Sequence, residues 1–358
     1  MKTQIFGPTK NGSKTNKQTT NKKNSLASKN GQRTLKGGII GAGVVGEATA
    51  RLLKYLGCEV YLNDIKDISH FEEEGFHVRS DYRINETDFT MLVLPTPTVR
   101  AGLGGRTDLR VLEDVTENLG RQLKDHNQYH RFVIRSTVPP GTTRELGERL
   151  GTISGKEIGR DYGMCMIPEF LRAHSANEDA LKPSVTVIGA SDGKSAKPFV
   201  KLYGNLNAPI QIGTLEEAEM LKYIHNIANA TKISFWNEVN DICKIFGVDF
   251  RKVAETVTQT AESMTRPAYG TKGGWPYGGT CLPKDSQSMF RELRRRGYTP
   301  RVLEAVIKVN DEMNGRVEKF VRSNGVYQDG LDVQAAESLL NENDHATFDN
   351  LRILRGAR

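Results

Sequence analysis

The amino-acid sequence predicts an α/β chain in which a doubly wound parallel sheet precedes a mostly α-helical domain with one long helix. Three observations predict this fold class. From Gly37 an apolar run, a glycine-rich turn and an amphipathic segment follow one another, as in a strand that leads through a turn into a helix. Further apolar runs then alternate with helical patterns, which is typical of parallel sheets. Finally, no Gly or Pro occurs between Gly213 and Gly247, and one helix of that length would span about 50 Å.

The predicted sheet continues after the glycine turn through short, largely apolar runs, as expected for strands that are covered on both faces. These runs are Cys58–Asp64, Thr90–Leu94, Arg131–Arg135, Gly163–Ile167 and Val185–Ile188. Helical patterns at Leu109–Leu123 and Thr142–Leu150 separate or follow them. Alternation of this kind predicts a parallel order for the sheet.

The helical domain is predicted from the long segment and from the patterns that follow it, Phe250–Thr260, Ser286–Arg296 and Pro300–Val321. Apolar residues occur on more than one side of the long helix, so much of its circumference must be covered. A helix that links two domains, or one that forms the core of a dimer, would have that much of its surface buried. We expect a homodimer. The predicted divisions are a basic tail (1–36), the sheet domain (37–212), a helical central domain (213–316) and a short C-terminal segment (317–358).

The net charge of +7 arises at one end of the chain. Residues 1–36 contain nine Lys or Arg and no Asp or Glu, which leaves 41 basic against 43 acidic residues in the remainder. The remainder therefore lacks the positive charge that attracts polyanions, and we expect neither a nucleic-acid nor a membrane partner. Residues 1–36 are also rich in Asn, Thr, Ser and Lys, which predicts a disordered tail. An organelle-targeting segment and a tether to nucleic acid are the alternatives.

The four cysteines, Cys58, Cys165, Cys243 and Cys281, lie far apart and form no C-x-x-C pair. This spacing indicates neither a disulfide framework nor a metal site. No run approaches the roughly 20 apolar residues of a membrane helix, and the first 36 residues lack the apolar core of a secretory signal. We therefore expect a cytoplasmic protein with reduced cysteines and no bound metal.

Gly41, Gly43 and Gly46 form a G-x-G-x-x-G motif between the first predicted strand and the first predicted helix. In this position backbone N–H groups and the helix N-terminus can approach a pyrophosphate, as in the Rossmann fold. Asp64 lies 23 residues after Gly41, where its carboxylate can accept a hydrogen bond from a ribose 2′-hydroxyl. The sequence thus predicts that residues 37–212 bind NAD rather than NADP. A glycine turn that only packs the helix on the strand is the alternative.

Two further groups of residues are candidates for chemistry. Lys222 and Asn226 are one turn apart on one face of the long helix, although such a pair often occurs by chance on a solvated face. Cys281 follows a glycine turn at the start of a predicted helix, with Pro283 suited to the first turn. A helix N-terminus and a nearby lysine favour the thiolate form of a cysteine, so Cys281 is a candidate nucleophile. The other three cysteines lack this setting and are expected to be buried and inert.

Seven motifs in one order make the chain resemble the UDP-glucose/GDP-mannose dehydrogenase family over about residues 37–316. They are GAGVVG (41–46), LPTPT (94–98), RSTVPPGTT (135–143), PEFLR (168–172), AEMLKYIHN (218–226), KISFWNE (232–238) and GGTCLPKD (278–285). Members of this family oxidise the C6 alcohol of a nucleotide sugar to a carboxylate with two NAD⁺, and a cysteine holds the intermediate covalently. The resemblance implies the same reaction here, with NAD as cofactor, and most similar to that of a UDP-glucose 6-dehydrogenase.

Matched position by position, the resemblance implies a role for each site residue. Cys281 would form a thiohemiacetal and then a thioester, Lys222 and Asn226 would stabilise the oxyanion, and Glu169 would assist thioester hydrolysis. Asp285 and Thr137 would position water or protons. The residues implied in NAD binding are Gly41, Gly43, Val44, Val45, Gly46, Asp64, Pro95, Thr96, Thr98, Ser136, Thr137 and Lys284. Those implied in substrate binding are Glu169, Phe170, Leu171, Lys222, Asn226, Arg266 and Gly278.

Three departures from the family pattern bear on function. Ala173 stands where the pattern has a substrate-facing carboxylate, which leaves the sugar open. Arg266 matches an arginine that reaches a neighbouring subunit's sugar, but its spacing to Cys281 differs slightly. About 42 residues follow Arg316, whereas a second nucleotide-binding domain needs on the order of 100. We therefore expect that C-terminal domain to be missing.

Three other functions stay open beside UDP-glucose oxidation. The chain could be a GDP-mannose 6-dehydrogenase. It could be a single-step hydroxyacid dehydrogenase, which would use a helix-borne Lys222 and Asn226 but tolerate Cys281→Ser. It could also be a non-catalytic NAD-binding or assembly protein, as the departures at Ala173 and at the C-terminal end suggest.

Overall fold

The computed structural model describes residues 33–99, 105–271, 273–279 and 281–323. The chain divides into two compact units, an N-terminal unit that ends at Asn226 and a C-terminal unit that begins at Ile227. This boundary falls inside the long helix, whereas the predicted boundary lies before it. Residues 1–32 of the predicted tail and residues 324–358 of the predicted C-terminal segment lie outside the described residues.

The N-terminal unit is an alternation of strands and helices, as predicted. Its strands are β1 (Lys36–Ile40), β2 (Glu59–Asn63), β3 (His77–Val78), β4 (Phe89–Leu92), β5 (Thr98–Val99), β6 (Arg106–Thr107), β7 (His130–Ile134), β8 (Tyr162–Met166), β9 (Thr186–Ala190) and β10 (Ile210–Gly213). Its helices are α1 (Val44–Tyr55), α2 (Arg110–Lys124), α3 (Thr142–Ser154), α4 (Ala176–Leu181) and α5 (Gly193–Tyr203). Short 3₁₀ turns occur at Ser69–Glu72, Ile84–Glu86 and Ala173–Ser175.

Eight strands form one sheet in the order β10-β9-β8-β7-β4-β1-β2-β3, and β5 pairs with β6 in a separate two-stranded hairpin. The strands from β3 across to β8 are mutually parallel. The fold class is confirmed, but β9 runs antiparallel to β8, and β10 is parallel to β9. The apolar pattern of a buried strand is the same in either direction, so the sequence did not reveal this reversal.

Helices cover both faces of the sheet. Alternate residues of each strand point to opposite faces, so each strand contributes side chains to both sides. On β1, Ile39 belongs to the apolar cluster beneath α1, α4 and α5. Its neighbour Ile40 belongs to the opposite cluster, which includes residues of α2, α3 and the first turn of the long helix. The N-terminal unit is therefore doubly wound, with one apolar core on each face.

The long helix α6 (Leu215–Phe246) matches its prediction to within two residues at each end. The C-terminal unit contains the rest of α6 together with α7 (Phe250–Thr260), α8 (Glu262–Thr265), α9 (Cys281–Arg295) and α10 (Arg301–Ser323). The Glu238 carboxylate on α6 accepts the backbone N–H groups of Val302 and Leu303, both at 2.9 Å, and so caps α10. Helices are joined by turns and irregular segments in this unit, and its described residues contain no β-strand.

Several large apolar side chains of the C-terminal unit are exposed in the single chain. They are Ile227, Ile233, Phe235, Val248, Tyr269, Leu282, Met289, Val306 and Val309. Among the described residues of the whole chain, no helix combines the length and the apolar character needed to cross a membrane.

Candidate active site

The three glycines of the G-x-G-x-x-G motif meet three different requirements of the turn between β1 and α1. Gly41 has a φ of +101°, and a Cβ on it would lie 2.2 Å from the Val93 carbonyl oxygen. A Cβ on Gly46 would lie 2.0 Å from the carbonyl oxygen of Gly41, so only glycine lets the helix approach the strand. Gly43 is exposed, and a Cβ there would meet nothing within 4 Å. The open space at Gly43, at the N-terminus of α1, fits the pyrophosphate of a dinucleotide.

Asp64 lies directly after β2 and beside the glycine turn, as predicted. Its Oδ2 accepts the backbone N–H of Ala42 at 2.6 Å, and its Oδ1 accepts that of Lys66 at 2.9 Å. In the first turn of α1, Val44 exposes 55% of its surface and Val45 is half-buried. The turn therefore presents a carboxylate and an apolar surface at the carboxyl edge of the sheet.

The loops after β4 and β7 are joined at the same edge of the sheet. The Ser136 hydroxyl donates to the carbonyl oxygen of Leu94 at 2.7 Å and accepts the Leu94 N–H at 2.9 Å. The Thr96 hydroxyl donates to the carbonyl oxygen of Thr137 at 2.8 Å. Three predicted cofactor residues, Thr96, Ser136 and Thr137, thus lie together after two adjacent parallel strands, at the edge where sheets of this kind bind ligands in a crevice.

The remaining two predicted cofactor residues of this unit are exposed. Pro95 lies in the loop after β4, and Thr98 is the first residue of β5. The hairpin to which Thr98 belongs was not predicted, because strands of two residues are too short to show a periodic pattern.

Lys222 forms a buried ion pair with Glu169, the residue that follows Pro168 after β8. Their Nζ and Oε1 atoms are 3.0 Å apart, and the side chains are only 7% and 13% exposed. The other carboxylate oxygen of Glu169 accepts the backbone N–H of Leu171 at 2.6 Å. The Phe170 ring lies 5.5 Å from the Lys222 ammonium. Burial of these charges is tolerable because they are paired and hydrogen-bonded.

The structure thus brings together four residues predicted to contact substrate, namely Glu169, Phe170, Leu171 and Lys222. Asn226 lies one turn beyond Lys222 on α6 and is exposed. Ala173, at the departure from the family pattern, is also exposed and begins a 3₁₀ turn.

Glu219 is a buried carboxylate that was not predicted from the sequence. Its two oxygens accept the backbone N–H groups of Gly141 and Thr143, at 2.6 and 2.7 Å. Burial raises the pKa of Glu219, and the hydrogen bonds from these backbone groups oppose the rise. The signal available in the sequence was its position three residues before Lys222, which puts both side chains on one face of a helix.

In the C-terminal unit, Cys281 is exposed at the first position of α9. The other three cysteines, all within described segments, are buried as predicted. Burial raises the pKa of the Cys58 thiol to about 12 and also raises that of Cys165. A buried thiol with a raised pKa is a poor nucleophile, so Cys281 is the cysteine suited to covalent chemistry.

Lys284 and Asp285, to which the resemblance assigns separate roles, form an exposed ion pair of 2.6 Å in the first turn of α9. This contact raises the pKa of Lys284. Gly278 is half-buried in the segment before Cys281, and Arg266 is exposed directly after α8. The buried Asn310 accepts the Tyr277 N–H at 2.7 Å and so holds this segment against α10.

The described residues contain no cluster of three or more His, Cys, Asp or Glu side chains that could hold a metal ion. The arrangements that can support chemistry are therefore the glycine turn with Asp64 and the Lys222–Glu169 pair in one unit, and the exposed Cys281 in the other.

Two domains of one family match this chain. The NAD binding domain of the UDP-glucose/GDP-mannose dehydrogenase family matches residues 69–207, and the central domain of the same family matches residues 216–312. The NAD binding domain of the D-isomer specific 2-hydroxyacid dehydrogenases matches residues 3–113.

Curated relatives include dehydrogenases of both nucleotide sugars. The chain is 33% identical over 313 residues to the UDP-glucose 6-dehydrogenase AglM of Haloferax volcanii, a match that covers 79% of this chain and 71% of that protein. It is 36% identical over 229 residues to the GDP-mannose 6-dehydrogenase of Pseudomonas putida, which covers 64% of this chain. That second match spans only about half, 51%, of the relative's own length.

Solved structures of such enzymes are similar to this chain as well. A ternary complex of GDP-mannose dehydrogenase from Pseudomonas aeruginosa gives a TM-score of 0.75 at 27% identity and covers 86% of this chain and 79% of that one. A UDP-glucose dehydrogenase from Pyrobaculum islandicum gives a TM-score of 0.61 at 28% identity and covers 83% and 72%.

Proposed function

The chain belongs to the UDP-glucose/GDP-mannose dehydrogenase family, and on this premise we propose that it oxidises the C6 alcohol of a nucleotide sugar to a carboxylate. The observation that carries the proposal is the buried Lys222–Glu169 pair at 3.0 Å. Its two residues lie in separate motifs of the family, and it places an ammonium and a carboxylate together at low exposure. Such a fixed cation can stabilise an oxyanion, and a fixed carboxylate can accept a proton from water.

The open glycine turn at Gly43 supports the binding of NAD⁺, whose pyrophosphate would lie against the N-terminus of α1. Asp64 would accept hydrogen bonds from the adenosine ribose, and Ser136 and Thr137 would form the adjacent wall of the crevice. Bound NAD⁺ supplies the acceptor for the hydride that leaves C6 in each of two oxidations.

Cys281 is proposed as the nucleophile. In the first oxidation the alcohol at C6 loses a hydride and a proton and becomes an aldehyde. The Cys281 thiolate adds to that aldehyde, and loss of a second hydride from the thiohemiacetal leaves a thioester. Water then cleaves the carbon–sulfur bond, which releases the carboxylate and restores the thiol.

The remaining residues act on charges and protons in this scheme. Lys222 and Asn226 stabilise the negative oxygen that forms at C6 during thiol addition and during hydrolysis. Glu169 accepts a proton from the attacking water, and Asp285 and Thr137 position water or protons. Phe170, Leu171, Gly278 and Arg266 are proposed to bind the sugar nucleotide.

UDP-glucose is the proposed substrate, supported by the relative from Haloferax volcanii, which matches over 71% of its length. GDP-mannose is the second candidate, supported by the TM-score of 0.75 with a GDP-mannose dehydrogenase. The two candidates differ in both sugar and base, so one turnover assay separates them.

We also propose that two copies associate through α6. Met220 and Ile224, one turn apart on this helix, are exposed in the single chain, as are Ile233 and Phe235 farther along it. Apolar residues in such a pattern usually become covered by a partner. Sedimentation that showed a monomer at micromolar concentration would contradict this association.

The function is tested by measuring NADH formed per sugar consumed, with UDP-glucose and GDP-mannose offered separately to the wild type and to Cys281→Ala. We expect two NADH per sugar from the wild type and no carboxylate from the variant. One NADH per sugar that survives Cys281→Ala would indicate a single-step dehydrogenase. Binding of NAD⁺ without any NADH from either sugar would refute the proposed activity.

A further inference from the structure

The first turns of α6 bury a stripe of side chains in which charged residues replace apolar ones. The stripe consists of Leu215, Ala218, Glu219 and Lys222, at the spacing of one helical face, and all four are buried. Apolar residues would suffice for packing at these positions. Charged residues are almost never fully buried without a specific partner, so the contacts of Glu219 and Lys222 require an explanation beyond packing.

Glu219 uses both of its oxygens at the start of α3. Oε2 accepts the Gly141 N–H at 2.6 Å and Oε1 accepts the Thr143 N–H at 2.7 Å, while the side chain is fully buried. Gly141 precedes α3 with a φ of +98° and has no side chain of its own to cap the helix. A carboxylate from α6 therefore supplies the cap, where the helix dipole favours negative charge.

The capped segment is continuous with the proposed cofactor crevice. Gly141 lies four residues after Thr137, and this short segment contains both residues of the Pro139–Pro140 pair, whose φ angles are fixed by their rings. Thr137 and Ser136 in turn hold the loop after β4 through the hydrogen bonds to Thr96 and Leu94. A shift at Gly141 would thus be passed to the proposed NAD-binding loop.

The other end of the connection is Lys222. It lies three residues after Glu219 on the same face of α6 and pairs with Glu169 at 3.0 Å. One turn of α6 therefore fixes two loops at the carboxyl edge of the sheet, one through Glu219 and the other through Lys222.

We propose that Glu219 is a positioning residue, which holds the Ser136–Thr137 loop and the Lys222 ammonium at a fixed separation during turnover. This inference rests on the proposed dehydrogenase function. Glu219 has no role on the substrate itself; it acts through the backbone at Gly141 and through the helix that presents Lys222. Misplacement of reacting groups by about 1 Å can cost on the order of 100-fold in rate.

The test measures the burst of NADH that the full-length Glu219→Gln variant forms in its first turnover. The substrate is whichever nucleotide sugar the wild type oxidises. Glutamine keeps the size of the side chain but replaces one acceptor oxygen with a donor that opposes a backbone N–H. We expect the rate of the NADH burst to fall at least about tenfold. We expect the burst amplitude per mole of total chain to stay at the wild-type level. A role in folding alone would lower the amplitude and leave the rate unchanged.

Glu216→Gln is the matched control, because Glu216 also joins α6 to α3, through Arg144 at 2.6 Å, but these two side chains are 35% and 55% exposed. We expect its burst rate to remain within about twofold of the wild type, since exposed ion pairs contribute little. An equal loss of rate in both variants, or a wild-type rate in Glu219→Gln, would overturn the positioning role while leaving the dehydrogenase function intact.

If Glu219→Gln gives no burst, Glu219→Asp decides the question, because it keeps the carboxylate on a shorter side chain. A reduced burst rate in Glu219→Asp supports the positioning role, and a wild-type rate overturns it. Absence of NADH from the wild type with every sugar offered would instead refute the proposed function, and the positioning role would fall with it.

Discussion

Replacing Lys222 with methionine would leave the Glu169 carboxylate buried without its cation. The methionine side chain would still fill the space that the apolar part of the lysine side chain occupies. At 3.0 Å the attraction between the two charges is about 5.5 kcal/mol at an effective dielectric constant of about 20. Desolvation offsets part of that attraction. Breaking one side of a buried pair typically costs about 3–5 kcal/mol. Because Glu169 keeps the hydrogen bond from the Leu171 N–H, we expect Lys222→Met to lower the free energy of unfolding by about 3 kcal/mol.

A double-mutant cycle separates the pair from its surroundings. Urea unfolding followed by circular dichroism would be measured for Lys222→Met, Glu169→Gln and the double variant. We expect the double variant to lose at least about 2 kcal/mol less than the sum of the single variants, because neither charge is then left unpaired. Effects that add to within about 0.5 kcal/mol would refute the coupling.

Lys244→Met is the control for this cycle. Lys244 pairs with Asp241 on the same helix at the same distance of 3.0 Å, but both side chains are at least half exposed. An exposed pair is screened by water, so we expect little change in the free energy of unfolding. A loss as large as that of Lys222→Met would show that burial is not the cause.

Three other predictions concern the glycine turn, a buried histidine and the exposed thiol. Gly43→Val should leave the unfolding temperature nearly unchanged but weaken NAD⁺ binding at least about tenfold in calorimetry. Gly46→Val should also destabilise the fold, because its Cβ would lie 2.0 Å from a carbonyl oxygen. Equal unfolding temperatures for the two variants would contradict the assigned roles. Burial lowers the pKa of His130 to about 3, with His126 and Arg131 adding to the effect. Between pH 6.5 and pH 3 the unfolded state therefore binds one more proton than the folded state. In this range His130 should lower the free energy of unfolding by up to about 1.4 kcal/mol for each pH unit that the pH falls. His130→Gln should therefore give a flatter dependence of the free energy of unfolding on pH. Iodoacetamide should label Cys281 alone in the native chain, as read by peptide mass spectrometry, and early labelling of a second cysteine would contradict the burial of the others.

The parts of the fold that the sequence predicted well are those decided by neighbouring residues. The glycine turn and Asp64 follow from local backbone requirements, and α7 occupies the predicted range Phe250–Thr260 because apolar spacing and flanking residues set it. The long helix followed from the absence of Gly and Pro between residues 213 and 247.

The parts that escaped prediction depend on contacts between distant residues. The reversal of β9 is decided by where the chain re-enters the sheet, which the apolar pattern of Thr186–Ala190 does not encode. Glu219 resembles any solvated helix carboxylate in sequence, and only the approach of Gly141 from 78 residues away makes it a buried cap. The spacing to Asn226 made Lys222 a candidate, and the resemblance implied roles for Lys222 and Glu169, whereas their direct ion pair was not predicted.

The strand order has a consequence for how the N-terminal unit is made. After β1, each described strand of the large sheet pairs with one that is synthesised before it: β2 and β4 add to β1, β3 adds to β2, and β7, β8, β9 and β10 then add in turn. Among the described strands, β1 is synthesised first and lies inside the sheet, so the sheet can grow outward on both sides of it as translation proceeds. No pairing in this sheet has to wait for a strand that is made later and then inserted between two existing ones.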